Sequence, residues 1–154
     1  MSQRCFEVNV LTPMQWAKAV VPSMRGHRRG RIINVSSLAA VLSAPSFGAY
    51  CASKSALDQL TACLAAEVAA DGIAVVAFAP AAHTDMSRQL YEDEAIPAPL
   101  RAQFRTDLLA LLRYSLEIFR FIATGCADHL SGQHVGLHAT GQHSIDELRR
   151  MMPS

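Results

Sequence analysis

Two short apolar runs constrain what this chain can fold into more than any other feature. Ile32, Ile33 and Val35 follow Gly30 in R-G-R-I-I-N-V-S-S, and residues 73 to 80 read I-A-V-V-A-F-A-P. Near-continuous runs rich in β-branched residues mark strands buried on both faces, as in parallel sheets. Between the runs, Leu57, Leu60, Leu64 and Val68 recur at helical spacing. A helix from about Ala49 to Ala70 is therefore expected, stopped by Asp71-Gly72. Strand, helix and strand form one right-handed crossover unit. A third strand is expected at Gln133 to Leu137. The expected fold class is α/β, a parallel sheet of about three strands flanked by helices.

Chemistry concentrates around the first strand and that helix. Tyr50 and Lys54 stand four residues apart in A-Y-C-A-S-K, about one turn apart on one helix face. A phenol ordinarily titrates near about 10. A cation within roughly 4–6 Å favours the phenolate and lowers that value by about 1–3 units. Such a phenol gives and takes protons near neutral pH. The same spacing also occurs on ordinary solvated helix faces. Ser36 and Ser37 stand where the first strand ends. Serines there serve as turn formers and caps, but ligands of open α/β sheets gather at the carboxyl ends of strands. Ser37 lies thirteen residues before Tyr50, placed to face the phenol with a substrate oxygen between them.

Asn9 is the third candidate, in F-E-V-N-V-L-T-P. Pro13 has no N–H, so the Asn9 carbonyl loses its helical partner and the helix should kink. A carbonyl left open in this way takes an ordered water. The alternative is a helix that starts at Thr12 with Pro13 at its favoured first position.

The order of these motifs resembles the short-chain dehydrogenase/reductases. Asparagine, N-V-S-S, Y-x-A-S-K and a strand ending in proline and T-D-M run from about Phe6 to Met86. The resemblance implies a Rossmann-like fold and hydride transfer between NAD or NADP and a secondary alcohol or ketone. It implies that Tyr50 is the catalytic acid/base and that Lys54 lowers its pKa and holds the nicotinamide ribose. Ser37 would orient the substrate carbonyl, and the Asn9 carbonyl would hold a proton-relay water. Pro80 and Thr84 would join Tyr50 and Lys54 at the cofactor, with Thr84 on the carboxamide.

The sequence also departs from that pattern. No T-G-x-x-x-G-x-G run occurs, nor N-N-A-G, nor the residue that reads the adenosine ribose. A helix N-terminus that cradles the dinucleotide phosphates is thus missing. Residues 1–154 are expected to be one truncated catalytic portion, lacking about the first four strands. Pro80-Ala81-Ala82-His83-Thr84 replaces the family's P-G, appears one residue short and lacks the glycine that permits close backbone approach. His83 reads as a solvent-facing loop residue or a substrate contact. With its former neighbour gone, the strand at Arg31 to Val35 should present an apolar edge open to pairing. The helices around Asn9 and Tyr50 resemble those that build the family's oligomer interface, so a homo-oligomer is expected. A non-catalytic pairing module is the other class of function.

Composition excludes several partners. Hydrophobic residues are 51% of 154, and the net charge is +1. That balance gives no global attraction to nucleic acid or an anionic membrane. Arg25, His27, Arg28, Arg29 and Arg31 form a basic cluster without interleaved aromatics, expected to be a solvated loop rather than a nucleic-acid site. Cys5, Cys51, Cys63 and Cys126 form no C-x-x-C motif, so reduced, buried thiols in a cytoplasmic protein are expected. No signal peptide is read at the start. His129, His134, His138 and His143 crowd the end. His134 and His138 would share a strand face, but no third ligand has metal-site spacing. Leu108 to Ile122 reads as a helix on the sheet, with Arg113, Glu117 and Arg120 arguing against a membrane span. Residues 88 to 105 stand where the family places a substrate lid.

Overall fold

A computed structural model of the protein describes residues 2–80, residue 98 and residues 108–136. Thr84, His83, His138, His143 and the expected lid lie outside the described residues, residue 98 apart. The elements run α1 (Ser2–Phe6), a π-helical turn (Glu7–Leu11), α2 (Thr12–His27), β1 (Gly30–Val35), a 3₁₀ turn (Leu38–Ala40) and α3 (Gly48–Val68). After a second 3₁₀ turn (Ala69–Asp71) come β2 (Ile73–Ala79), α4 (Leu108–Thr124), a third 3₁₀ turn (Asp128–Leu130) and β3 (His134–Gly136).

The expected α/β class is found. Three strands pair in the order β1-β2-β3, all parallel. Ile32 lies opposite Val75 and Ile33 opposite Val76. Strand side chains alternate between faces, and two cores result. Ile32, Ile73 and Val75 pack with Val21, Met24, Leu64, Ala65 and Val68 from α2 and α3. Ile33, Val76, Phe78 and Val135 pack on the other face with Ile118, Phe121 and Ile122 from α4. β2 is the central strand, and all seven of its residues are buried. That is why its run carries no polar alternation.

The buried stripe of α3 differs from its leucine spacing. It comprises Ser53, Lys54, Leu57, Thr61, Ala65 and Val68, while Leu60 and Leu64 are only half-buried. The polar members are tolerated because each has a partner. Thr61, fully buried, accepts from Asn34 Nδ2 at 2.8 Å and donates to the Leu57 carbonyl at 2.8 Å. Buried polar groups persist where such bonds are complete.

The basic cluster is not a loop. Arg25 and His27 close α2, Arg31 lies in β1, and only Arg28 and Arg29 connect them, Arg28 in the left-handed region at φ 49°. Arg25 pairs with Asp71 at 2.6 Å, and Arg28 donates to the Ala70 carbonyl at 3.0 Å. Arg31 grips Asp128 through two bonds of 2.8 Å. The cysteines also differ from expectation. All four are free, but none is buried, and Cys63 and Cys126 are exposed. The core stripe of α3 passes through Thr61 and Ala65, which turns Cys63 outward. Among the described residues no helix is long and apolar enough to cross a membrane.

Gly125 has φ +93°, and a methyl group there would enter the Arg31 guanidinium. The ion pair itself is partly solvated, with 50% of the Asp128 side chain exposed. Exposed pairs contribute about 0–1 kcal/mol, whereas a left-handed alanine costs about 1–2 kcal/mol before any clash. Gly125→Ala should therefore lower the urea midpoint clearly more than Asp128→Ala. The reverse order would show that the ion pair, not the backbone, sets stability here.

Candidate active site

The candidate side chains gather around the carboxyl end of β1 and the start of α3. Val35 ends the strand, and its carbonyl accepts a hydrogen bond of 2.8 Å from Lys54 Nζ. Lys54 is nearly two turns into α3 and only 8% exposed. Burial pushes its pKa below 10.5, while the Asp58 carboxylate opposes that shift. The ammonium lies 5.8 Å from the centre of the Tyr50 ring, within cation–π range. Tyr50 and Lys54 thus share one helix face. The ammonium lies over the ring, and its hydrogen bond goes to the strand end.

Ser37 follows β1 directly. Its backbone is extended (φ −158°, ψ 155°), and its Oγ accepts from Ala39 N at 3.2 Å, capping the 3₁₀ turn. Capping uses an oxygen lone pair and leaves the hydroxyl proton available for donation. The 3₁₀ turn is held to α3 by Ser55 Oγ, which donates to the Ala40 carbonyl at 2.7 Å. Ser37 and Tyr50 therefore stand on elements bonded to each other at one end of the sheet. Pro80 follows β2 directly and is exposed.

Asn9 sits at the centre of the π-helical turn. The helix neither starts at Thr12 nor breaks. Leu11 and Thr12 both have helical angles, and Thr12 N–H donates to the Glu7 carbonyl, five residues back. Thr12 Oγ1 bonds the same carbonyl at 2.9 Å. One widened turn absorbs the missing proline donor, a form frequent at functional sites. The Asn9 side chain spans to α3, where Nδ2 donates to Ser53 Oγ at 3.0 Å, and Ser53 donates to the Tyr50 carbonyl at 2.8 Å. The expected residues Asn9, Ser37, Tyr50 and Lys54 are thus linked through α3 and the end of β1.

Sequence reasoning missed a second cluster behind them. Asp58 accepts from Ser36 Oγ, and its other oxygen accepts from His134 Nδ1 at 2.6 Å. Asp58 follows Lys54 by one turn, and that i,i+4 spacing was the available signal. His134 gives its Nδ1 to this carboxylate, while its expected neighbour on the strand face, His138, lies outside the described residues. The described residues hold no group of three metal-ligating side chains.

Comparison with known proteins follows from this geometry. Residues 2–95 match the family model of the short chain dehydrogenases. The chain is 35% identical over 133 residues to the Bos taurus protein "Dehydrogenase/reductase SDR family member 4", covering 86% of this chain and 48% of that one. It is 42% identical over 96 residues to "Inactive 2-(S)-hydroxypropyl-CoM dehydrogenase 2" of Xanthobacter autotrophicus, covering 61% and 42%. Among solved structures it resembles a gluconate 5-dehydrogenase from Burkholderia cenocepacia in complex with NADP and tartrate. That match has 28% identity and a TM-score of 0.68, with 84% of this chain and 51% of that one covered. The chain spans about half the length of the curated relatives it matches.

Burial of Lys54 makes a prediction about alkaline stability. Its folded pKa lies below its unfolded one, so the unfolded state binds more protons between the two values. Stability contributed by this site therefore rises with pH across that window, up to 10.5, and is flat below it. The urea midpoint of the chain relative to Lys54→Met should climb over that alkaline range. A falling difference would mean that the ammonium is better solvated in the folded state.

Proposed function

The chain belongs to the short-chain dehydrogenase family; on that premise we propose that it carries the catalytic portion of an NAD- or NADP-dependent oxidoreductase that interconverts a secondary alcohol and a ketone. The observation that carries this reading is the buried Lys54 ammonium at the end of β1, with the Tyr50 ring beneath it and Ser37 on the adjoining cap.

The nicotinamide end of the cofactor fits the residues present. An ammonium has three donors, and one of those of Lys54 is engaged by Val35 among the described residues. The others suit ribose hydroxyls at the strand rim, beside Pro80. The family pattern adds Thr84. The phosphate end does not fit, because no glycine-rich turn occurs in the sequence. When bound, the cofactor supplies or accepts the hydride. The protein's part is position and a proton. In the reducing direction the Ser37 hydroxyl donates a hydrogen bond to the carbonyl oxygen and holds it. Tyr50 gives that oxygen its phenolic proton as charge develops there. Lys54 stabilises the resulting phenolate, and the Asn9 turn is where the proton returns through water. In the oxidising direction the same groups run in reverse.

A second reading has its own observation. Val8, Leu11 and Trp16 on the Asn9 helix are exposed, Trp16 to 67%, as are Leu112, Leu116 and Phe119 on α4. β1 has no strand on its outer edge among the described residues, and Val35 there is 54% exposed. Apolar surface beside an open edge favours assembly. A homo-oligomer, or a pairing module without catalysis, would bury it.

Titration of the 154-residue chain with NADH and NADPH, followed by fluorescence, separates the two. Saturable binding weakened by Lys54→Met is expected, and no saturable binding leaves the pairing module alone. With any alcohol or ketone that is turned over, Tyr50→Phe should lower the rate by about 10²-fold or more. Near-normal turnover would remove Tyr50 from its role.

A further inference from the structure

The proton chemistry proposed above does not use Asp58, Ser36 or His134, yet they form the most complete side-chain cluster in the described residues. Both Asp58 oxygens are taken, Oδ1 by Ser36 Oγ and Oδ2 by His134 Nδ1 at 2.6 Å. Ser36 is 4% exposed, and the Asp58 and His134 side chains are 18% and 12% exposed. Ser36 directly follows β1, Asp58 is on α3 and His134 opens β3. One carboxylate therefore ties the helix to both outer strands of the sheet. It does so one turn beyond the point where Lys54 bonds Val35, the residue adjacent to Ser36.

We propose that Asp58 is the positioning residue of the site: clamped by Ser36 and His134, it fixes the height of α3 on the strand ends and keeps a negative charge one turn from the Lys54 ammonium. Two bonds on successive turns of α3, to successive residues of the chain, define a register that either alone would leave free to slide. The charge matters because Lys54 is buried and bonds a neutral carbonyl. Without an anion nearby, its protonated form is disfavoured. Among the described residues, the groups that face Lys54 come from few directions. Tyr50 and Asp58 lie on its own helix, β1 offers the Val35 carbonyl, and β3 brings His134 to Asp58. His134 is thereby a partner of the anchor. The functional meaning rests on the role proposed for Lys54. The clamp and its charge coupling do not.

The chain has two lysines, Lys18 and Lys54, so ¹³Cε-labelled lysine gives two assignable signals without cofactor or turnover. Asp58→Asn keeps the shape and removes the charge. It should lower the titration midpoint of Lys54 by about one unit, leave that of Lys18 unmoved, and be reversed in part by Asp58→Glu. An unmoved Lys54 midpoint in a folded Asp58→Asn chain would overturn the proposal. Should that variant unfold, Ser36→Ala decides, because it frees one Asp58 oxygen and keeps the charge. It should move the Lys54 ¹³Cε signal and leave that of Lys18 in place. A Lys54 signal unmoved by Ser36→Ala would equally overturn the proposal. A positive result with no nicotinamide binding would keep the clamp and reject only the oxidoreductase reading.

Discussion

One buried ammonium organises this structure. Lys54 is almost fully enclosed, so its charge needs a partner, and the Val35 carbonyl supplies one at 2.8 Å. That bond docks α3 on the end of β1 and sets where the phenol and the capping serine stand. Apolar packing of Leu57, Ala65 and Val68 holds the helix to the sheet, but packing is non-directional. Direction comes from polar contacts at its first turns: Asn9 to Ser53, Lys54 to Val35 and Asp58 to Ser36.

The polar contacts lie on one side of a clean division of labour along α3. Its amino-terminal half meets the strand ends through hydrogen bonds, and its later turns meet the strand bodies through Ala65 and Val68, with Thr61 and Asn34 the one polar pair described there. The arrangement follows from a parallel sheet, in which the crossover helix begins near the carboxyl end of one strand and ends near the start of the next. The candidate site therefore sits at the polar end, apart from the apolar core. The π-helical turn at Asn9 is the same principle in the neighbouring helix. A proline that removes one donor is accommodated by widening a single turn, and the helix still reaches Ser53.

Much of the fold was legible because the deciding residues are local signals. The β-branched run before Ser36, the fully buried run from Ile73 and the stop at Gly72 placed two strands and the helix between them within a residue or two. The candidate site was legible to the extent that spacing encodes it: Tyr50 and Lys54 share a face because of helical periodicity. What was not legible depends on contacts distant in sequence. Thr61 and Ser53 are buried because Asn34 and Asn9 meet them, 27 and 44 residues away. Asp58 becomes an anchor only through Ser36 and a histidine 76 residues later. The arginine cluster read as a loop because its partners Asp71 and Asp128 come from elsewhere in the chain. The exposure of Cys63 has the same cause, since the polar members of the buried stripe displaced the leucines that the periodicity favoured.

The most direct measurement is the distance between Ser37 Oγ and Tyr50 Oη in a crystal structure of the chain. A single carbonyl oxygen within hydrogen-bond reach of both requires them to lie within roughly 6 Å of each other, opening on one crevice at the rim of the sheet. That is the result this account predicts. Hydroxyls turned to separate surfaces would leave no place where one oxygen touches both, and would contradict it.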